Sequence, residues 1–224
     1  MGREQLREVA IHGSVLNPYG DSNILLFDDF EGRQNWTGSG TGADWTVAQS
    51  TGGNEMIDGM YGLKMAASVL VPSYVNALRY TRYSVGPMLS FQVAFRPTTI
   101  ATSSNFYVYV LVYTGSRVYY YTCTYYFVLQ AWYYYAVDNV FRAIPGASQR
   151  LFDGAWNRLT FVIDVSKFTL EEFECNGLLL LNLGLACHNV ANTTDPCCMI
   201  LFQIDGSVSP PATVYIDNVL FSQV

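Results

Sequence analysis

The sequence predicts an all-β fold, a two-sheet antiparallel sandwich preceded by an N-terminal arm. Three observations carry that expectation. Apolar and polar residues alternate with a period of two through roughly ten to twelve short segments. Clusters of Gly, Ser, Asn, Asp and Pro separate these segments at the spacing typical of sandwiches. No stretch sustains the 3.6-residue period of a long helix. The chain has 224 residues, a size that all-β domains reach as single units, so residues 23–224 are read as one domain.

Residues 1–22 read as an arm, because polar and apolar residues mix there without period and Asn17-Pro18-Tyr19-Gly20-Asp21 is a turn cluster. Residues 4–10 allow a short helix. The first strand is expected over residues 24–30, followed by a Gly/Ser/Thr loop carrying Trp36 and a short strand over 45–49. Further strands are expected over 61–68 and 76–84. Residues 88–95 alternate cleanly, with Leu89, Phe91, Val93 and Phe95 on one face, and Pro97 ends that run.

The middle of the chain holds eleven of its seventeen tyrosines, all between residues 105 and 135. Over 106–113, Phe106, Val108, Val110 and Val112 share one face, and Tyr107, Tyr109, Leu111 and Tyr113 share the other. Residues 117–135 are too many for one ordinary strand, so a break is expected near 129–131. Two-sided apolar strands are covered on both faces or present one face to a partner. Strands over 157–165, 168–174 and 178–183 follow, with Asn176-Gly177 the strongest hairpin signal in the chain. Strands over 199–204 and 213–221 close it.

Charged residues make up 13% of the chain and the net charge is −6. The acidic balance and the absence of a basic stripe exclude a nucleic-acid partner. No apolar run approaches the length needed to span a membrane as a helix. The first nine residues alternate in charge without an apolar core, so no secretory signal is expected and synthesis in a cytoplasm is. So few charges leave apolar and tyrosine-rich surface to be covered by something else, which points to self-association. The five cysteines are expected to be mostly free and buried. Adjacent Cys197 and Cys198 point to opposite strand faces and do not make a zinc site; a Cys187–Cys197 staple is the alternative to no bond.

Three stretches resemble jelly-roll sandwiches of the concanavalin A-like and carbohydrate-binding-module kind: Phe27-Asp28-Asp29-Phe30-Glu31-Gly32 with Trp36, the unit from Trp156 to Asp164 followed by Asn176-Gly177, and Val214-Tyr215-Ile216-Asp217-Asn218-Val219. The resemblance implies a structural calcium tying the first strand to the last, with Glu31 and Asp217 as ligands and Asp29 as a weaker candidate; calcium takes such hard oxygens together with backbone carbonyls. It also implies sugar stacking on exposed aromatic rings, for which Trp36, Trp45, Trp132 and the tyrosines are the candidates. No Gly-x-Ser-x-Gly, phosphate loop, dinucleotide fingerprint or Glu-x-Asp-x-x-Glu pattern occurs, and the expectation drawn is of a chain that is not an enzyme. The leading functional expectation is a self-associating structural subunit at a virion surface, such as a capsid decoration, tail or fibre protein. Such a subunit would associate with copies of itself or other virion subunits and leave the host by lysis. The alternative is a carbohydrate-binding module or lectin.

Overall fold

The computed structural model describes residues 23–32, 35–42, 44–50, 61–67, 73–81, 83, 86–98, 104–152, 154–205 and 212–224. The arm expected over residues 1–22, including the short helix that residues 4–10 allow, lies outside them. The described residues form seventeen strands and no helix. In chain order the first six are β1 (Asn23–Asp28), β2 (Thr37–Gly40), β3 (Thr46–Ser50), β4 (Gly62–Ala66), β5 (Tyr74–Thr81) and β6 (Met88–Thr98). The tyrosine-rich middle supplies β7 (Asn105–Tyr113), β8 (Arg117–Tyr126), β9 (Ala131–Tyr135) and β10 (Phe141–Ser148). Then come β11 (Asn157–Asp164), β12 (Thr169–Cys175), β13 (Leu178–Leu180), β14 (Leu185–Ala186), β15 (His188–Ala191), β16 (Cys197–Asp205) and β17 (Thr213–Gln223).

These strands make the expected two-sheet antiparallel jelly-roll sandwich. One sheet, here the terminal sheet, runs β13-β12-β11-β6-β17-β4-β3, with β1 beside β17 and β14 beside β12. The other, the tyrosine sheet, runs β10-β9-β8-β7-β16-β5-β2, with β15 beside β8. The long apolar strands β6, β17, β7 and β16 occupy the middles of the sheets. The Asn176-Gly177 turn between β12 and β13 has both residues at positive φ, 48° and 84°, as a two-residue hairpin with this sequence requires.

Alternation decides what fills the space between the sheets. Leu89, Phe91, Val93 and Phe95 of β6 face Phe106, Val108, Val110 and Val112 of β7 across the core, all of them buried. Aromatic contacts cross from sheet to sheet: Phe91 meets Phe202 at 6.1 Å and Phe95 stacks on Phe106 at 5.0 Å between ring centroids. Each such ring contributes about 1.5–3 kcal/mol by leaving water. Trp132 belongs to the same core, edge-on to Phe95 and packed on Tyr125 and Phe173. No disulfide joins any two of the five cysteines. Cys198 lies in the core while Cys197 stands on the other side of β16, so the Cys187–Cys197 staple does not form.

The first and last strands pair, as their sequences suggested, from Asn23 opposite Gln223 to Asp28 opposite Val219. β17 carries a bulge between Asp217 and Leu220, with Asn218 at φ 49°. That extra residue returns Val219 and Phe221 to the core side and marks where the neighbour of β17 changes from β4 to β1. A protein cation ties this closure to the opposite sheet. Asp28, at the end of β1, forms an ion pair with Arg79 of β5, accepts the Trp36 indole N–H at 2.9 Å and accepts the Phe30 amide at 2.9 Å.

Candidate functional site

The strand register assigns the second face of the tyrosine sheet. β7 turns Tyr107, Tyr109, Leu111 and Tyr113 outward, β8 turns out Val118, Tyr120, Thr122, Thr124 and Tyr126, and β16 turns out Met199, Leu201, Gln203 and Asp205. Leu111, Val118 and Met199 form a small second core on this face, with Leu78, Tyr109, Tyr113, Tyr120 and Leu201 packed against it. It is an apolar floor outside the sandwich.

Beside that floor the aromatic rings form an unbroken series. Tyr109 stacks parallel to Tyr107 at 5.9 Å, and Tyr107 meets Phe141 of β10 edge-on at 6.0 Å. Phe141 stacks on Tyr135 at 4.8 Å, Tyr135 contacts His188 at 4.4 Å, and His188 contacts Tyr120 at 5.5 Å. Tyr126 joins through Phe141 and Tyr133, at 6.3 and 4.5 Å. β8 supplies threonine between the tyrosines of its neighbours: Thr124 lies between Tyr107 and Tyr133 in register, and Thr122 lies beside Tyr109. Both threonines are buried, and neither hydroxyl has a hydrogen-bond partner among the described residues. Small side chains here leave room for the larger rings to lean together.

One carboxylate is fixed at the end of this series. Asp205 Oδ2 accepts the Tyr107 hydroxyl at 2.8 Å and Asn105 Nδ2 at 3.2 Å, and Oδ1 accepts Gln203 Nε2 at 3.0 Å. Burial first, then the charge of Asp205 and the bond to it, push the Tyr107 phenol far above the ordinary range. Burial pushes Tyr109 up likewise, with Asp205 next in effect. Both remain neutral hydroxyls across the physiological range. The result is a half-buried aromatic surface with a rigid acceptor beside it, a combination suited to a flat ligand with apolar faces and hydroxylated edges.

Of the aromatic candidates, tyrosines lie on this face and the three tryptophans lie elsewhere. Trp132 is fully buried and Trp36 nearly so, its indole bonded to Asp28 and its ring against Phe30 and Phe202. Trp45 is half-buried, packed against the core and close to Gly38 and Gly40. The two buried rings are core, because a tryptophan pointing inward has a large apolar area to bury. The residues missed were Phe141, His188 and the cluster around Asp205. A separate pocket of about 290 Å³ lies against the terminal sheet, lined by Trp156, Arg158, Glu174 and Asn176 among others.

The acids at the strand closure are engaged. Glu31 accepts the Tyr61 amide at 2.8 Å, Asp29 accepts the Glu31 amide at 3.1 Å, and buried Asp217 accepts the Asn218 amide at 2.7 Å. No three His, Cys, Asp or Glu side chains gather as a metal-holding group among the described residues. A calcium at Glu31 and Asp217 would therefore complete its shell from carbonyl oxygens, and it stands as a proposal.

The fold is a two-sheet jelly-roll β-sandwich. No family model and no curated protein sequence matches the chain. Among solved structures it is similar to an endo-β-1,4-glucuronan lyase from the fungus Trichoderma reesei, with 14% identity and TM-score 0.56, covering 89% of this chain and 95% of that one. It is similar to the cellulose-induced protein Cip1, with 15% identity and TM-score 0.53, covering 89% and 97%. It is also similar to a chain of carbohydrate-binding modules of the β-sandwich superfamily described as promiscuous in specificity, with 15% identity and TM-score 0.52, covering 90% of this chain and 63% of that one. The first of these corrects the expectation of a chain that is not an enzyme: an enzyme carries the same architecture, so the sandwich is no argument against catalysis.

Proposed function

We propose that this chain recognises a carbohydrate through the outer face of its tyrosine sheet. The observation that carries the reading is the aromatic series from Tyr109 through Tyr107, Phe141 and Tyr135 to Tyr120, set beside the fixed carboxylate of Asp205. Pyranose rings have C–H faces that lie against aromatic rings and hydroxyl edges that bond to carboxylate and phenol. The face supplies both kinds of partner side by side. The occurrence of carbohydrate-binding modules on this same sandwich supports the reading.

The test is affinity electrophoresis and titration calorimetry of the full chain against a panel of soluble polysaccharides. Tyr109→Ala and Tyr135→Ala should each weaken binding by about 2 kcal/mol, roughly 30-fold, as loss of an aromatic anchor does. Retention on no member of the panel overturns the reading. So does binding that both variants leave intact. The self-association expected of the virion reading uses the same face, and a solution mass that doubles with these tyrosines covered favours it instead.

A further inference from the structure

We propose that this face selects uncharged glycan chains over chains bearing uronic acids, and that Asp205 is the residue that sets the choice. The inference rests on the carbohydrate reading above and narrows its substrate class.

The charge distribution points this way. Among the described residues that the register places on the face, Asp205 is the one carboxylate, and no lysine or arginine joins it. Six cations among the described residues are engaged elsewhere. Arg79 pairs with Asp28, Arg142 with Asp138 and Lys167 with Asp164. Arg117 bonds Asn189, and Lys64 and Arg96 lie over the Tyr215 ring on the terminal sheet. A uronate carboxylate held against the tyrosines would thus lose water without gaining a cation, and it would lie near a like charge.

The hydrogen-bond inventory points the same way. An ionised carboxylate offers about four acceptor sites, and Asp205 uses three of them on Tyr107, Asn105 and Gln203. Those three donors prevent it from turning away from a ligand. The remaining acceptor site takes a sugar hydroxyl, which has a proton to give, and repels a carboxylate, which has none. The Tyr107 phenol directs its own proton at Asp205, so it is not a free donor to a uronate. A chain with the sandwich of a glucuronan lyase would in this way prefer the opposite charge class.

The experiment compares a soluble neutral β-glucan with a polyglucuronate of matched length. It uses the full chain at pH 8, above the ordinary imidazole range, at low salt and at about 0.5 M salt. The neutral glucan is expected to bind at least tenfold more tightly. Salt should narrow the ratio in the wild type, and Asp205→Asn should narrow it at low salt. Equal or tighter binding of polyglucuronate overturns the inference and leaves the carbohydrate reading standing. A ratio unchanged by both salt and Asp205→Asn also overturns it. The salt series on wild type keeps the test decisive where the variant folds poorly. Binding of neither polymer overturns the carbohydrate reading and this inference with it.

Discussion

Replacing Asp28 by alanine should cost about 3 kcal/mol of stability, a large effect for one acid at a strand end. The figure follows from what the carboxylate holds. It accepts the Trp36 indole and the Phe30 amide, worth about 1 kcal/mol each net. It also neutralises Arg79. Removing one partner of a fully buried pair costs about 3–5 kcal/mol, but these side chains retain 15% and 22% exposure, so about 1–2 kcal/mol is assigned to the charge. Phe30 adds to the sensitivity, because it is buried at φ 61° and the Asp28 carboxylate holds its amide in that left-handed conformation. The assay is urea unfolding followed by tryptophan fluorescence and by circular dichroism, with Asp28→Ala, Asp28→Asn, Arg79→Ala and the Asp28/Arg79 double variant. For a chain of this length the loss corresponds to about 6–12 °C in Tm. Asp28→Asn keeps an acceptor and loses the charge, so it should fall between wild type and alanine. Stability of Asp28→Ala within about 1 kcal/mol of wild type refutes the reasoning, and so does strict additivity of the two alanine changes.

Two further outcomes follow from acids elsewhere. Burial pushes the Asp164 carboxyl up, but the Ser166 hydroxyl, the Lys167 ammonium and the backbone amides of both outweigh it and hold it at about 2. A carboxyl depressed in the folded state stabilises above its ordinary range near 3.8, and that contribution is lost as pH falls toward 2. Asp164→Ala should therefore lower the urea midpoint at pH 7, with the gap to wild type closing near pH 2; a gap unchanged with pH counts against this. The calcium proposed at Glu31, Asp29 and Asp217 predicts that excess chelator lowers Tm in wild type and less so in Glu31→Ala. Equal melting of both proteins with and without chelator removes calcium from the closure.

The sandwich was legible because its core obeys the period-two rule. In β6, β7 and β11 the alternating apolar residues name the inward face directly, and the Asn176-Gly177 turn names its own geometry. The break expected near residues 129–131 is the turn before β9. What failed were the short edge strands. β10 includes Pro145 and Gly146 and shows no sustained alternation in burial, while β14 and β15 are two and four residues long. Edge strands have one neighbour and carry little core, so their sequences hold a weak pattern. Two members of the aromatic series, Phe141 and His188, come from such strands. The sequence could flag a tyrosine face, but not the partners that long-range pairing adds to it.

The acids show the same limit from the other side. Resemblance directed attention to Glu31 and Asp217, whereas the ion pair between the sheets uses Asp28, one residue before Asp29, with an arginine fifty-one positions away as its cation. Asp28 and Asp29 are indistinguishable by residue type and differ only in where the strand points them. Asp28 meets Trp36 and Arg79, while Asp29 caps the next turn. Asp205 makes the argument for function. It is a single acid at the end of a long apolar strand, with nothing in its local sequence to mark it. Its meaning comes from Asn105 and Tyr107 on the neighbouring strand, about a hundred residues earlier in the chain. Pairing of β7 with β16 turns a scattered tyrosine, asparagine, glutamine and aspartate into one rigid acceptor beside stacked rings. The antiparallel register that builds the core on one side of the sheet builds the half-buried aromatic surface on the other.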